Sequence, residues 1–399
     1  MWAVKSVRQN YPLHFEILRL LEVFRKMVND SLRIGLAYDV SSLRKLSLLS
    51  YNQLASYDIP SYYKLCAISR AAGILASRKK SVKRGHPTRT PYAHRSLLVS
   101  CYGFKIINDQ LQIPIRRGSR FNIPLTKHTL DVISQPGITV RSFTLTRNSL
   151  SLCIAREAPE VECTSTVGVD RNLRNLTVGN LQQTIQYDLA RTVQIARTTT
   201  RIIASFHRDD VRVRKRIASK YGRRRRSRVS HLLHNTTRTI VTRAVRKREA
   251  IVLENIEGIR SLYRKGNGQG RKYRGKMNGW SFAEAQRQLE YKARWMGLPS
   301  IRLSKGRTRS TSIVCPRCGE RLQSDRQLRR KLWCIKCRWL MDRDEVAAIN
   351  IALRGRLRFD RSQPTTQAKG GAIEAMKENP TTMVISQVDA PKLTYHGIS

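Results

Sequence analysis

The sequence predicts a multidomain α/β protein, on three observations. Apolar residues recur at helical spacing near the N-terminus, and they alternate with period two in the middle of the chain. Further on, short buried-type strands are interleaved with helices. A pair of C-x-x-C turns marks a small module near the last helix.

The elements follow in chain order. Leu13, Ile17, Leu20, Leu21, Phe24 and Val28 step by three and four residues, with Arg19, Arg25 and Lys26 between them, and predict core-facing helix. Pro60 opens a second helical segment through Tyr63, Ala67, Ala71 and Leu75, ending near Lys80. Arg78, Lys79, Lys80, Lys83 and Arg84, followed by Gly85, Pro87 and Pro91, read as a linker. From about Ser96 to Glu157 the period becomes two. Leu111 to Ile115 and Thr139 to Leu145 alternate, and Arg147-Asn148 separates the latter from Leu150 to Ile154, predicting a hairpin in a small antiparallel barrel or sheet. Val161 to Thr166 leads into a third region that begins with a strand, and beyond Asp188 a long basic helical stretch runs to about Arg248. Beyond Arg356 the apolar periodicity fades, and residues 357–399 read as a flexible tail.

The charge narrows the function. Lys and Arg number 76 against 28 Asp and Glu, a formal net charge of +48 over 399 residues. Such self-repulsion argues against an enzyme of neutral small molecules and for a polyanionic partner, bound through counterion release. Phosphate contacts are expected from Arg78, Lys79, Lys80 and Lys83, and from Arg223 to Arg226, where no acidic residue is interleaved. Tyr62, Tyr63 and Tyr92 are either base-stacking or packing residues. No apolar run approaches the ~20 residues of a membrane span and no secretory signal opens the chain, so a cytoplasmic protein is expected. A basic structural RNA-binding protein, as in a ribosome, is the plain alternative, but it has no need of the acids described next.

Three carboxylates stand where a metal-dependent nuclease needs them. Asp170 follows Val167-Gly168-Val169 and precedes the polar turn Arg171 to Asn175, so it lies at a strand end. Glu254 ends the strand Ala250 to Leu253, with Glu257 as a nearby competitor. Asp344 lies at the N-terminus of the helix that starts Glu345-Val346-Ala347, with Asp342 as its competitor and an ordinary helix cap as the plain reading. Phosphodiester hydrolysis requires an activated water and charge relief at the leaving oxygen, which two Mg²⁺ ions about 4 Å apart supply. Mg²⁺ takes hard oxygen ligands, and carboxylates from separate elements can bridge such a pair. His207, His231 and His234 lack ligand spacing beside these acids and read as surface or helix residues.

The eight cysteines do not form a disulfide framework. Cys66, Cys101, Cys153 and Cys163 are scattered, whereas Cys315-x-x-Cys318 and Cys334-x-x-Cys337, fifteen residues apart, have zinc-ribbon spacing. Four thiolates close a tetrahedral site, so the expected Zn²⁺ is structural. Arg317, Arg321, Arg326, Arg329, Arg330 and Lys331 surround the cysteines and extend the ribbon's basic surface.

Thr311 to Gly319, the second cysteine pair and Asp342-Arg343-Asp344-Glu345-Val346-Ala347-Ala348-Ile349-Asn350-Ile351 resemble the C-terminal signature of the TnpB family, and Asp170 and Glu254 match that family's first and second RuvC motifs. The signature covers 167–356; the first half is similar in architecture alone. The resemblance implies a RuvC-like RNase H fold over 166–310 and 341–356, with an inserted zinc ribbon at 311–340. Ahead of it are implied a helical recognition region at 11–84 and a wedge-like β-barrel from 1–10 and 85–165. It implies Asp170, Glu254 and Asp344 as catalytic Mg²⁺ ligands, favouring Asp344 over Asp342, and Cys315, Cys318, Cys334 and Cys337 as zinc ligands. It further implies a transposon-associated endonuclease that uses a guide RNA to cut double-stranded DNA, a ribonucleoprotein with one protein chain. A miniature type V CRISPR effector, a nuclease-inactive guided regulator and a guide-independent transposase or resolvase are the rival readings. Val346 stands where the family commonly has Asn.

Overall fold

The computed structural model describes residues 1–362 except 117, 207–210, 257, 325–326 and 328–329, together with 393–394. The chain divides into two units, one of Met1 with Ala158–Thr366 and the other of Trp2–Glu157 with Gln367–Ser399.

The second of these is helical and β-rich. Strand β1 (Trp2–Asn10) is followed by α1 (Phe15–Ala37), α2 (Leu43–Ser50) and α3 (Ser61–Lys83). Ile17, Leu20, Leu21, Phe24 and Val28 of α1 are buried, as are Tyr63, Ala67, Ala71 and Leu75 of α3, whereas Leu13 precedes α1 and is exposed. The basic run expected as a linker belongs instead to α3, whose last turn carries Lys80 and Lys83. Cations there oppose the negative end of the helix dipole, so helix persists to Lys83 before Gly85 turns the chain. The strands β2 (Leu98–Ser100), β3 (Lys105–Ile107), β4 (Gln110–Arg116), β5 (Ser119–Pro124), β6 (Ile138–Leu145) and β7 (Ser149–Glu157) surround a short helix, α4 (Lys127–Ile133). Their pairings are all antiparallel and fall into two open sheets, β3–β4–β5 and β1–β7–β6 with β2 on β6. The expected hairpin is β6–β7, and β1 joins it because Ala3 and Val7 alternate with exposed residues and bury on one face.

The larger unit is built on a mixed five-stranded sheet. Strands β8 (Ser165–Arg171), β9 (Asn175–Gly179) and β10 (Thr184–Asp188) form an antiparallel meander. Two helices, α5 (Ala190–Ala204) and α6 (Val211–Arg246), lead to β11 (Glu249–Leu253), and α7 (Arg271–Asn278) and α8 (Phe282–Trp295) lead to β12 (Ser300–Arg302). Strands β8, β11 and β12 are parallel, and the order across the sheet is β10-β9-β8-β11-β12. One face packs on α6 and α8 through Leu233, Ile240, Val241, Leu289 and Ala293. A small sheet of β13 (Gln323–Ser324), β14 (Lys331–Cys334) and β15 (Trp339–Asp342) then precedes α9 (Arg343–Ser362). Helix α9 therefore continues past Arg356, where a tail was expected. Most of the remaining tail lies outside the described residues, apart from β16 (Leu393–Thr394), which pairs with β6.

Helix α9 lies against β8 at close range. A Cβ on Gly168 would stand 2.0 Å from the Ala348 carbonyl oxygen and 2.6 Å from the Ala352 nitrogen. Thr166 Oγ1 donates to the Ala352 carbonyl at 2.9 Å, and Gly355 gives the same clearance to Val252 of β11. The backbone is the obstacle at Gly168, so a methyl there cannot be absorbed by a rotamer change. Gly168→Ala is predicted to destabilise the larger unit by about 2 kcal/mol through overpacking; thermal denaturation at an unchanged midpoint would show that α9 moves freely.

Candidate metal centres

The sheet register brings the three acids to one end of the larger unit. Leu253 pairs with Val169 across the parallel β8–β11 ladder. Asp170 and Glu254 are the next residues of these two strands, so they leave neighbouring strands side by side. Helix α9 runs the opposite way. Its Ala352 meets Thr166 and its Ala348 meets Gly168, so one turn earlier Asp344 is carried over Asp170.

Electrostatics express this proximity. Burial, together with the Glu254 charge, pushes the Asp170 carboxyl up to about 7; the Asn172 amide and the Arg171 and Arg330 charges oppose the shift. Burial also raises Glu254, while Arg171 pulls it back. Asn172 Nδ2 donates to Asp170 Oδ2 at 2.6 Å, and Asn175 Nδ2 donates to Asp344 Oδ2 at 3.3 Å. Arg330, on the loop into β14, donates to Asp344 Oδ2 and stands 3.8 Å from Asp342. Asp170 thus shares the Arg171 charge with Glu254 and the Arg330 charge with Asp344.

The competitors separate on the same ground. Asp342 Oδ1 accepts from the Asp344 backbone N–H at 2.8 Å and so caps α9, which leaves the buried Asp344 carboxylate directed at Asn175 and Arg330. Glu257 lies outside the described residues. His231 and His234 lie on α6, contacting Asn235 and Tyr291, while His207 lies outside the described residues.

Several partners escaped sequence reasoning. Arg171, expected in the turn, is the last residue of β8 and buried. Asn172, Asn175 and Arg330 carry no spacing signal at all. Asn350 is buried and donates to the carbonyls of Thr311 and Val314 at 2.8 and 2.7 Å, hanging the first cysteine turn on α9. Val346, the departure from the family pattern, is buried among Cys315, Leu322, Leu332, Cys334 and Met341, so this position packs the small sheet against α9.

The cysteine quartet is a second centre. Among the described residues it is the group whose ligand atoms all lie within 4.8 Å of one another. Cys318 Sγ is 3.5 Å from Cys334 Sγ, and Cys315 Sγ is 3.9 Å from Cys337 Sγ. A tetrahedral ion with Zn–S bonds of about 2.3 Å would space its sulfurs about 3.8 Å apart, so the four thiols fit such an ion. Arg317 lies over the Trp339 ring at 3.8 Å beside them. Arg326 and Arg329 lie outside the described residues.

Elsewhere, the expected phosphate contacts divide. Arg223, Arg224 and Arg226 are exposed on α6, but Arg225 donates to the Gly279 carbonyl at 3.0 Å. Tyr63 is fully buried and donates to the Pro114 carbonyl at 3.0 Å, which makes it a packing residue; Tyr62 rests edge-on against it. Tyr92 stays exposed beside Arg25.

Comparison with known proteins bears on this geometry. A family model described as the Cas12f1-like TNB domain matches residues 282–351, from α8 through the cysteine turns into α9. A TnpB-like protein of Methanocaldococcus jannaschii is 28% identical over 199 residues, which cover 46% of this chain and 66% of that protein's length. Over that span the chain is similar to a TnpB-like protein. The cryo-EM structure of a Cas12f1–sgRNA–target DNA complex contains a chain of similar fold, with a TM-score of 0.59 at 15% identity, covering 84% of this chain and 82% of that one. No helix among the described residues is long and apolar enough to cross a membrane.

The quartet yields a direct prediction. Cys334→Ser should lower bound metal from one equivalent to a small fraction and melt the β13–β15 module before the main sheet. Elemental analysis with thermal denaturation checks this; full metal retention by the variant would remove Cys334 from the ligand set.

Proposed function

We propose that this chain is an RNA-guided DNA endonuclease associated with a transposable element, in which Asp170, Glu254 and Asp344 hold two Mg²⁺ ions for phosphodiester hydrolysis. The observation that carries the reading is the register of β8, β11 and α9, which gathers three carboxylates of distant sequence position at one end of a sheet. Carboxylates held together against burial and their own repulsion are costly without cations to offset them. Bound there, magnesium would activate a water and relieve charge at the leaving oxygen.

The protein's own residues have definable tasks. Asp170 and Glu254 supply oxygens from a rigid sheet, and Asp344 supplies them from the first turn of α9. Asn172 and Asn175 orient Asp170 and Asp344 through their amides. Arg330 counters the acids in the protein alone and is suited to a phosphate when one arrives. The mixed sheet order, with an antiparallel meander beside parallel strands, supports a RuvC-like nuclease domain. The four-cysteine module supports a structural zinc ribbon packed on α9 through Val346 and Asn350.

The charge supports the partners. The TnpB-like kinship, the similar fold of a chain that binds sgRNA and target DNA, and the +48 net charge together favour guide RNA and duplex DNA. Sequence choice would come from pairing between guide and target, with the protein reading a short flanking motif and the heteroduplex shape.

Two predictions test this. The chain purified with its copurifying RNA should cut matched DNA in Mg²⁺, and Asp170→Ala, Glu254→Ala or Asp344→Ala should each abolish cutting while guided binding persists. Cleavage by any of the three at the wild-type rate would remove that acid from the site, and wild-type cleavage independent of RNA would refute guidance. Replacing Arg223, Arg224 and Arg226 by Ala should reduce the log–log salt slope of RNA binding by about 2, as loss of three single-strand phosphate contacts requires. Arg225→Ala should instead lower stability, because its guanidinium is tied to Gly279; an unchanged slope in the triple variant would assign that face of α6 to solvent.

A further inference from the structure

The side chain of Arg171 has no solvent exposure, although arginine is among the residues least often buried completely. Its partners explain where it sits. Nη2 donates to the Glu254 backbone carbonyl at 2.6 Å, and Nη1 donates to Gln286 Oε1 at 2.6 Å. Nε stands 3.5 Å from Glu254 Oε1, an ion-pair distance rather than a hydrogen bond. One guanidinium thus grips both the main chain and the side chain of Glu254.

The grip extends outward. Gln286 Nε2 donates to Glu290 Oε1 at 2.9 Å, and Glu290 Oε2 accepts from Arg302 Nη2 at 2.7 Å. Arg302 is the last residue of β12 and pairs with Leu253, the residue before Glu254. The end of β8, the end of β11, helix α8 and the end of β12 are therefore joined by one polar chain with Arg171 at its centre. Asp170 and Arg171 are consecutive in a strand, so their side chains leave opposite faces. Asp170 faces α9, while Arg171 reaches α8 from behind. A planar fork with fixed donor directions suits this task, and the single rotating ammonium of lysine does not.

We propose that Arg171 is a positioning residue that holds Glu254 in its cation-binding orientation, so that the strength of divalent binding depends on the Arg171–Gln286 linkage. The inference rests on the nuclease reading given above. Charge alone would be served by any cation near Glu254. The bond to the Glu254 carbonyl and the anchor on Gln286 contribute nothing to charge balance, and they fix direction.

The test uses the full chain with its copurified RNA and compares wild type with Arg171→Lys and Gln286→Met. Three quantities are read: the Mg²⁺ concentration for half-maximal cleavage, the rise in thermal midpoint on adding Mn²⁺, and guided DNA binding. Arg171→Lys is expected to raise the Mg²⁺ requirement at least tenfold and to shrink the Mn²⁺-induced rise, with DNA binding within twofold of wild type. Gln286→Met, which leaves Arg171 and Glu254 intact, is expected to move both cation readouts in the same direction by a smaller factor, and it decides the matter should Arg171→Lys fail to fold. Wild-type Mg²⁺ dependence and Mn²⁺ response in Gln286→Met would overturn the proposal, as they would in a folded Arg171→Lys. A wild-type protein that neither cleaves nor responds to Mn²⁺ would instead overturn the nuclease reading on which it stands.

Discussion

The close approach of α9 to β8 is the constraint on which the larger unit depends. A helix and a sheet are normally held apart by their side chains, and close backbone approach requires the absence of side chains at the crossing. Gly168 supplies that absence beneath Ala348 and Ala352, and Gly355 supplies it over Val252. Because α9 and β8 run in opposite directions, fixing Thr166 against Ala352 and Gly168 against Ala348 also fixes Asp344 relative to Asp170. The parallel pairing of Val169 with Leu253 then adds Glu254. Acids separated by 84 and 90 residues in sequence are carried to one end of the sheet by these contacts.

Alignment of this kind has an electrostatic cost, and the surrounding residues show how it is met. Asp170 is pushed up to about 7 by burial and by Glu254. Arg171 offsets Glu254 from behind the sheet, and Arg330 reaches Asp344 from the cysteine module. The two arginines differ in kind. Arg171 has no exposure and is fixed by three contacts, whereas the Arg330 side chain is 58% exposed on a loop. The first is part of the framework, and the second reaches the acids from the surface. The four cysteines act on the acids indirectly: their module carries Arg330 and is bound to α9 by Asn350 and Val346.

Much of this was legible in the sequence, for reasons that are local. Asp170 and Glu254 end apolar runs too short for helices, and Asp344 opens a run with helical period, so strand ends and a helix start were readable. The cysteine spacing is a local motif. What was illegible depends on tertiary register. Arg171 resembles any polar residue after a strand, and only the position of Glu254 and Gln286 across the fold makes it a buried fork. Asp342 and Asp344 are indistinguishable by composition until the capping bond assigns one of them to the backbone. The basic run at Arg78 to Lys83 was read as a linker because charge masked a helix whose apolar face had already ended at Leu75. Alternation left a small barrel and a sheet equally open, because it reports which face is buried and not whether the sheet closes.

Asp170, Glu254 and Asp344 are proposed to form one divalent-cation site. Anomalous diffraction from crystals of the full chain with its RNA, grown in Mn²⁺, tests it most directly. The account predicts manganese density in contact with carboxylate oxygens from all three residues, with Arg330 withdrawn from Asp344. Density confined to the cysteine quartet, with Arg330 still on Asp344 at saturating Mn²⁺, would contradict it.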